Sequence, residues 1–252
     1  MTDSSHTPDD LRLPDPRLVL VRTSHPGNIG AAARAMKTMG LRRLCLVNPL
    51  DYPSAEATAR ASGADDVLRN AVVCGKLDEA ISQATLVLGA SARLRALPVP
   101  AITPRVAANL VAGQPDPGTA AILFGNEQSG LSNDEIDRCH YLIRIPSNPV
   151  YSSLNLAAAV QVICYELRCS AETPGVDTVD DESTTDLATG AQVEQFFVHL
   201  ESVLTGIGFL RPDNPRHLMR RLRRLFGRAR LDQNEINILR GILTAVDKVR
   251  RD

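Results

Sequence analysis

An α/β fold is predicted for this sequence, a parallel sheet covered by helices and followed by a small all-helical C-terminal unit, and three observations predict it. Short β-branched and leucine-rich runs alternate with segments of helical spacing from residue 17 to about 170. Polar residues and glycines gather directly after those runs, where ligands collect in parallel sheets. Beyond residue 190, apolar residues recur only at helical spacing.

Taken in order, the chain opens with "MTDSSHTPDDLRLPDP" (1–16), acidic, proline-rich and without the apolar stretch of a signal peptide, so a disordered leader is expected. The strand candidates follow: "RLVLVRT" (17–23), "RLCLVNP" (43–49), "ATLVLGAS" (84–91), "AAILFGNE" (120–127) and "YLIRIPS" (141–147). Their continuous apolar character predicts burial on both faces, which parallel sheets require. The residues set at their carboxyl ends are Thr23 to Asn28, Ser91 to Arg95, Gly125 to Gly130 and Pro146 to Asn155. The stretch "NPVYSSLNLAAAVQVICYEL" (148–167) has helical spacing but a polar opening. Ser152 or Ser153 suits a helix cap, yet the run of polar groups exceeds what a cap needs.

Residues 171–190 hold six acidic residues and no basic ones, the composition of a flexible linker. The remainder, 191–252, reads as a helical extension. "VEQFFVHLESVLTGIGFL" and "DQNEINILRGILTAVDKV" carry the apolar spacing, with Asp232 placed to cap the second. Between them, Arg211 to Arg230 include eight arginines and one acid, Asp213. Leu218, Leu222 and Leu225 form an apolar stripe beneath the arginines. Arginine throughout, without lysine, favours bidentate phosphate contacts, as for RNA; a solvated charged face is the plainer alternative.

Composition excludes several classes. The hydrophobic fraction of 44% permits a real core, and the formal net charge of -1 averages an acidic linker against a basic tail. No run reaches the roughly 18 apolar residues of a membrane-spanning helix, so a cytoplasmic protein without membrane contact is expected. The five cysteines show no C-x-x-C pairing and sit in or beside apolar runs, which suits buried thiols; Cys139 beside His140 has no second ligand pair nearby, and no structural metal is expected. "HPGNIGAAARAMKTMG" follows a strand and opens a helix, but its spacing is G-x-x-G and not that of a dinucleotide fingerprint. The chain has no Walker A sequence, and "FGNEQSGLS" is not a nucleophile elbow.

Three loops together, "TSHPGNIGAAARAMKTMG", "LFGNEQSGLS" and "IPSNPVYSSLNLAAAVQVICYEL", resemble the three motifs of the SpoU-like branch of the SPOUT RNA methyltransferases. The finer matches "LGASARLR", "RAMKTMGL" and "LRRLFGRARLDQNEINILRGIL" resemble the TrmJ subfamily, which 2′-O-methylates tRNA at position 32 of the anticodon loop. The resemblance implies a methyltransferase domain over 17–170 with a deep C-terminal trefoil knot, and a homodimer with active sites at the subunit boundary. It implies S-adenosylmethionine as cofactor, bound by Ala90, Ser91 and Ala92, by Gly125 and Asn126, and by Ile145, Ser152, Ser153 and Leu154. It makes Arg34 the leading catalytic residue, with Asn28, Glu127, Ser153 and Asn155 around it, Glu127 orienting Arg34 or the RNA. Because a guanidinium is not deprotonated in a protein, Arg34 suits stabilisation of a developing alkoxide better than proton removal. Arg22, Arg34, Arg220, Arg221, Arg223 and Arg224 are the expected tRNA contacts. The same chemistry on ribosomal RNA or at another tRNA position, and a non-catalytic RNA-binding protein of this fold, are the competing functions.

Overall fold

Seven strands, all parallel, form one sheet in the order β3-β2-β1-β6-β4-β7-β5 among the residues that the computed structural model describes, 13–92, 99–172, 186–211 and 217–251. In chain order the elements are β1 (Arg17–Val21), α1 (Pro26–Thr38), β2 (Leu44–Val47), α2 (Ala55–Ala61), α3 (Asp65–Arg69), β3 (Val72–Cys74) and α4 (Leu77–Ile81). There follow β4 (Leu86–Ala90), β5 (Ala101–Ile102), α5 (Pro104–Ala112), β6 (Ala120–Phe124), α6 (Asn133–Ile136), β7 (Tyr141–Ile143) and α7 (Leu156–Glu172). All five expected strands are present, somewhat shorter than their apolar runs. β3 and β5 have only three and two residues, too few to declare a period. The expected leader falls largely on residues 1–12, the linker on 173–185 and part of "LGASARLR" on 93–95, outside the described residues.

Burial on both faces accounts for the unbroken apolar strands. Leu18 and Leu20 of β1, Leu86 and Leu88 of β4, and Ile122 and Phe124 of β6 enter one core with α1, α2, α5 and α7. Val19 and Val21, Val87, and Ala121 and Leu123 enter a second core on the opposite face with α4 and α6. The alternation follows from the two-residue side-chain period of a strand. Helix α1 packs closely on α2: a Cβ on Gly30 would come 2.0 Å from the carbonyl oxygen of Ala57. The alanines of "GAAARAM" thus provide a helix surface smooth enough for backbone contact.

The strand order positions the site. β6 lies between β1 and β4, and β7 between β4 and β5, so strands late in the chain insert among earlier ones. Ala90 pairs in register with both Phe124 and Ile143, which brings the ends of β4, β6 and β7 together. A topological reversal of this kind opens a crevice at the carboxyl ends.

Three further helices, α8 (Gly190–Gly206), α9 (Leu218–Ala229) and α10 (Gln233–Arg251), form the C-terminal unit around Phe196, Phe197, Leu200, Val203, Ile236 and Leu243. Asp232 caps α10 as expected: its Oδ1 accepts from Glu235 N–H at 2.8 Å, and Glu235 accepts in return from Asp232 N–H at 2.9 Å. Two backbone bonds tie the start of α8 to the loop after α4, from Gly190 N–H to Ala84 O (2.8 Å) and from Ala191 N–H to Ser82 O (3.0 Å). The apolar stripe of α9 differs from the expected one. Met219, Leu222 and Phe226 pack on the small core, while Leu225 is 51% exposed; both sets keep helical spacing, and the contacts with Phe196 and Phe197 decide which one faces inward.

Candidate active site

Beyond the ends of β4, β6 and β7 lies a cavity whose walls come from three loops. Ala90, Ser91 and Ala92 form one side; Gly125 to Leu131 form the second; Ile145 and Ser152 to Leu154 form the third, with Phe124, Ile143, Leu156 and Ala159 beneath. All nine residues expected to hold the cofactor line this space. Phe124, Gln128, Ser129, Gly130, Leu131, Ile143, Leu156 and Ala159 line it as well and were not among the expected cofactor residues. Gln128, Ser129 and Leu131 lie within the "GNEQSGL" run already singled out, and Ala159 lies one helical turn after Asn155. The walls mix apolar side chains such as Phe124, Ile143 and Leu156 with polar ones such as Ser91, Asn126 and Ser153, the chemistry that suits a nucleoside with a charged tail. Gly125 makes the loop possible: a Cβ there would stand 2.1 Å from the Gly130 carbonyl carbon and the Leu131 nitrogen.

A polar cluster adjoins the cavity and joins the first loop to the others. Glu127 Oε2 accepts from Ser24 N–H at 3.0 Å and from Ser24 Oγ–H at 2.9 Å. Its Oε1 accepts from Asn28 Nδ2 at 2.9 Å and from His25 N–H at 3.3 Å. Burial opposes the charged form of Glu127, but the hydrogen bonds from Ser24 and Asn28 outweigh it and hold the carboxyl below its usual range. Asn28 Oδ1 in turn accepts from Asn155 Nδ2 at 3.0 Å. The chain Glu127–Asn28–Asn155 therefore unites all three motif loops. The expectation had Glu127 orienting Arg34 or the RNA; the donors that reach it within the chain are those of Ser24, His25 and Asn28, so it fixes the entry to α1.

Asn155 has a second task. Its Oδ1 accepts from Ala157 N–H (2.9 Å) and Ala158 N–H (3.4 Å), so it caps α7. Ser152 and Ser153 precede the helix and face the cavity, and neither caps it. Asn126 stitches β6 to β1: its Nδ2 donates to Arg22 O at 2.7 Å, and its Oδ1 accepts from Gln128 N–H at 2.9 Å. Arg22 sits in the left-handed region at φ 51°, an unusual place for a non-glycine residue and one found where a site constrains the backbone.

The arginines expected to contact RNA fall into different settings. Arg34 is exposed on α1, outside the cavity lining, and no side-chain ion pair engages it among the described residues. Arg22 is ion-paired with Glu135 at 2.8 Å. In α9, Arg220 forms a bidentate pair with Asp137, whose side chain is 3% exposed, and Arg224 lies 3.8 Å from the same carboxylate. Arg223 forms a bidentate pair with Glu194 at 2.7 and 2.9 Å and stacks over the Phe197 ring at 4.4 Å. Only Arg221 of the four is exposed. The basic helix thus turns one flank inward, and three of its charges join α9 to α6 and α8. Neither a face given wholly to a polyanion nor a fully solvated face describes it.

Near that junction, Cys139 donates to Glu135 O at 3.4 Å, and His140 accepts from Val87 N–H at 3.0 Å. Burial, with a smaller push from Arg230, drives the His140 pKa down to about 4 and keeps the ring neutral. All five thiols are free. Among the described residues no helix is long and apolar enough to cross a membrane.

Residues 15–165 match the SpoU rRNA methylase family, and residues 191–252 match the C-terminal domain of the tRNA methyltransferase TrmJ. The chain is 50% identical over 243 residues to the tRNA (cytidine/uridine/adenosine-2′-O-)-methyltransferase TrmJ of Pseudomonas aeruginosa (strain UCBPP-PA14), spanning 93% of this chain and 95% of that protein. It is 48% identical over 242 residues to the tRNA (cytidine/uridine-2′-O-)-methyltransferase TrmJ of Cronobacter sakazakii (strain ATCC BAA-894), spanning 94% and 97% respectively. The crystal structure of TrmJ from Z. mobilis ZM4 superposes with a TM-score of 0.82 at 35% identity, covering 92% of this chain and 99% of that one.

Proposed function

Because this chain belongs to the SpoU methylase family, in its TrmJ group, we propose that it is a tRNA 2′-O-methyltransferase that uses S-adenosylmethionine on cytidine and uridine at position 32 of the anticodon loop. One observation carries the reading: the nine residues expected at the cofactor line a single cavity, and the Glu127–Asn28–Asn155 chain adjoins it. The cavity fits the cofactor in chemistry. Apolar walls from Phe124, Ile143, Ile145, Leu154 and Leu156 suit adenine, Ser91 and Asn126 offer polar groups, and the Gly125 turn leaves room for close approach to the backbone. When bound, the cofactor supplies an electrophilic methyl group.

The rest of the reaction falls to the chain. A ribose hydroxyl is weakly acidic, so its attack needs alignment and relief of the charge that grows on the 2′-oxygen. Four donors already occupy Glu127, and its lowered pKa makes it a poor proton acceptor. We assign it the role of clamp. Ser153, at the cavity wall, positions the hydroxyl, and Asn28 and Asn155 hold the loops in register. Arg34 stabilises the developing alkoxide and grips a neighbouring phosphate. Its exposed place outside the cavity lining favours a homodimer in which Arg34 of one copy serves the cavity of the other. The inserted order of β6 and β7 favours the trefoil knot implied for this family. For tRNA, Arg221 is the exposed one of the four expected contacts in α9, with Arg220, Arg223 and Arg224 joining it where phosphates displace their acids. A cytoplasmic location follows from a tRNA substrate.

Arg34→Ala is expected to abolish methyl transfer while leaving cofactor affinity, read by calorimetry, near that of the parent. Turnover close to the parent value would remove Arg34 from the mechanism.

A further inference from the structure

The aromatic rings of this protein are few and mostly inside. Phe124, Phe196 and Phe197 are buried, Phe226 packs against the latter two, and Tyr52 and Tyr141 pack against the sheet core. Among the described residues three of these rings are exposed, Tyr165 on α7 at 52%, Phe209 after α8 at 66% and Tyr151 at 81% beside Val150 at 94%, and of these Tyr151 alone adjoins the residues of the cavity wall. It directly precedes Ser152, Ser153 and Leu154, which line the cofactor cavity. The ring stands on a fixed turn. Asn148 Oδ1 accepts from Val150 N–H at 2.9 Å, Asn148 O accepts from Tyr151 N–H at 3.0 Å, and Ser147 Oγ donates to Ser152 O at 3.0 Å. Nothing in the fold of the single chain requires an aromatic residue there, since the ring adds no packing to either core.

Methyl transfer to a ribose in a loop needs the nucleotide held with its 2′-oxygen towards the cofactor. Single-stranded RNA is held by stacking its splayed bases on aromatic side chains. The only ring in the cavity wall among the described residues is Phe124, which is buried and offers no face to a second base. Tyr151 has a free face, a short side chain with little entropy to lose, and a rigid turn at the cavity edge.

Resting on the 2′-O-methyltransferase reading, we propose that Tyr151 is a positioning residue that stacks on the base of the target nucleotide or its immediate neighbour. Stacking without edge contacts tolerates different bases, which agrees with an enzyme acting on more than one.

The test uses the full-length protein, saturating S-adenosylmethionine and unmodified tRNA transcript. For Tyr151→Leu, of similar bulk without a π face, kcat/KM for tRNA should fall about tenfold, chiefly through KM. Tyr151→Phe should restore it, and cofactor affinity and sedimentation mass should match the parent in both variants. Parent-like kinetics in Tyr151→Leu would overturn the assignment. So would a Phe variant as poor as Leu, which would point to the hydroxyl, or a changed mass or cofactor affinity, which would place the ring against a second subunit or the cofactor. A parent enzyme that binds cofactor but methylates no tRNA would instead overturn the underlying functional reading.

Discussion

Glu127 shows how one carboxylate ties two loops together beside a cavity. Its two oxygens receive four hydrogen bonds, three from Ser24 and His25 ahead of α1 and one from Asn28 in its first turn, so the charge is satisfied and the loop is fixed. Glu127→Gln keeps the shape but weakens every acceptor contact and brings an N–H₂ group against donors. The cost should be roughly 1–2 kcal/mol in unfolding stability, read by urea titration, with cofactor binding weakened as well. The sign of the pH effect follows from the lowered pKa. The contribution of Glu127 is fully present above its unfolded value of about 4.3 and is lost as pH falls through the lower folded value. Stability of the parent minus that of Glu127→Gln should therefore stay level from neutral pH to about 5 and shrink only in stronger acid; a difference that vanishes near neutral pH would contradict the clamp. At this scale the walls of one cavity were legible, because the loops that resemble the SpoU and TrmJ motifs carry nine expected residues and all nine line it. The partner of Glu127 was not legible, since Ser24 and Asn28 lie about 100 positions away and only the sheet order brings them together.

At the scale of elements, the apolar periods located five strands, yet they misjudged what a polar residue near a helix does. Ser152 and Ser153 have the chemistry of caps, but α7 starts later and Asn155 takes that position. The same limit applies to α9. A run of arginines announces a partner for positive charge but not whether that partner is RNA or the chain itself. Here Asp137 and Glu194 take three of the charges, and they belong to segments well before α9 in sequence. Asp137→Asn should expose that arrangement. Removing a carboxylate that is 3% exposed leaves Arg220 and Arg224 without their counter-charge, at a cost of roughly 2 kcal/mol after allowing for the partial exposure of Arg220. The expected outcome is faster proteolytic cleavage between α8 and α10, with cofactor affinity unchanged because the cavity lies on other loops. Cleavage at the parent rate would show that the ion pairs do not hold the C-terminal unit in place.

Across the whole molecule, the domain that carries the crevice at the ends of β4, β6 and β7 also holds a C-terminal unit docked through α8 and α9. The α/β class followed from continuous apolar strands. The sheet order did not, because the insertion of β6 and β7 among earlier strands leaves no mark on local spacing. The central claim is methyl transfer to a tRNA ribose, and the most direct measurement is transfer of label from S-adenosylmethionine to unmodified tRNA transcripts, with mapping of the modified nucleotide. The expected product is a 2′-O-methyl group at position 32 on cytidine or uridine, lost in Arg34→Ala. Label on a base atom, or no transfer by a protein that binds the cofactor and tRNA, would contradict it.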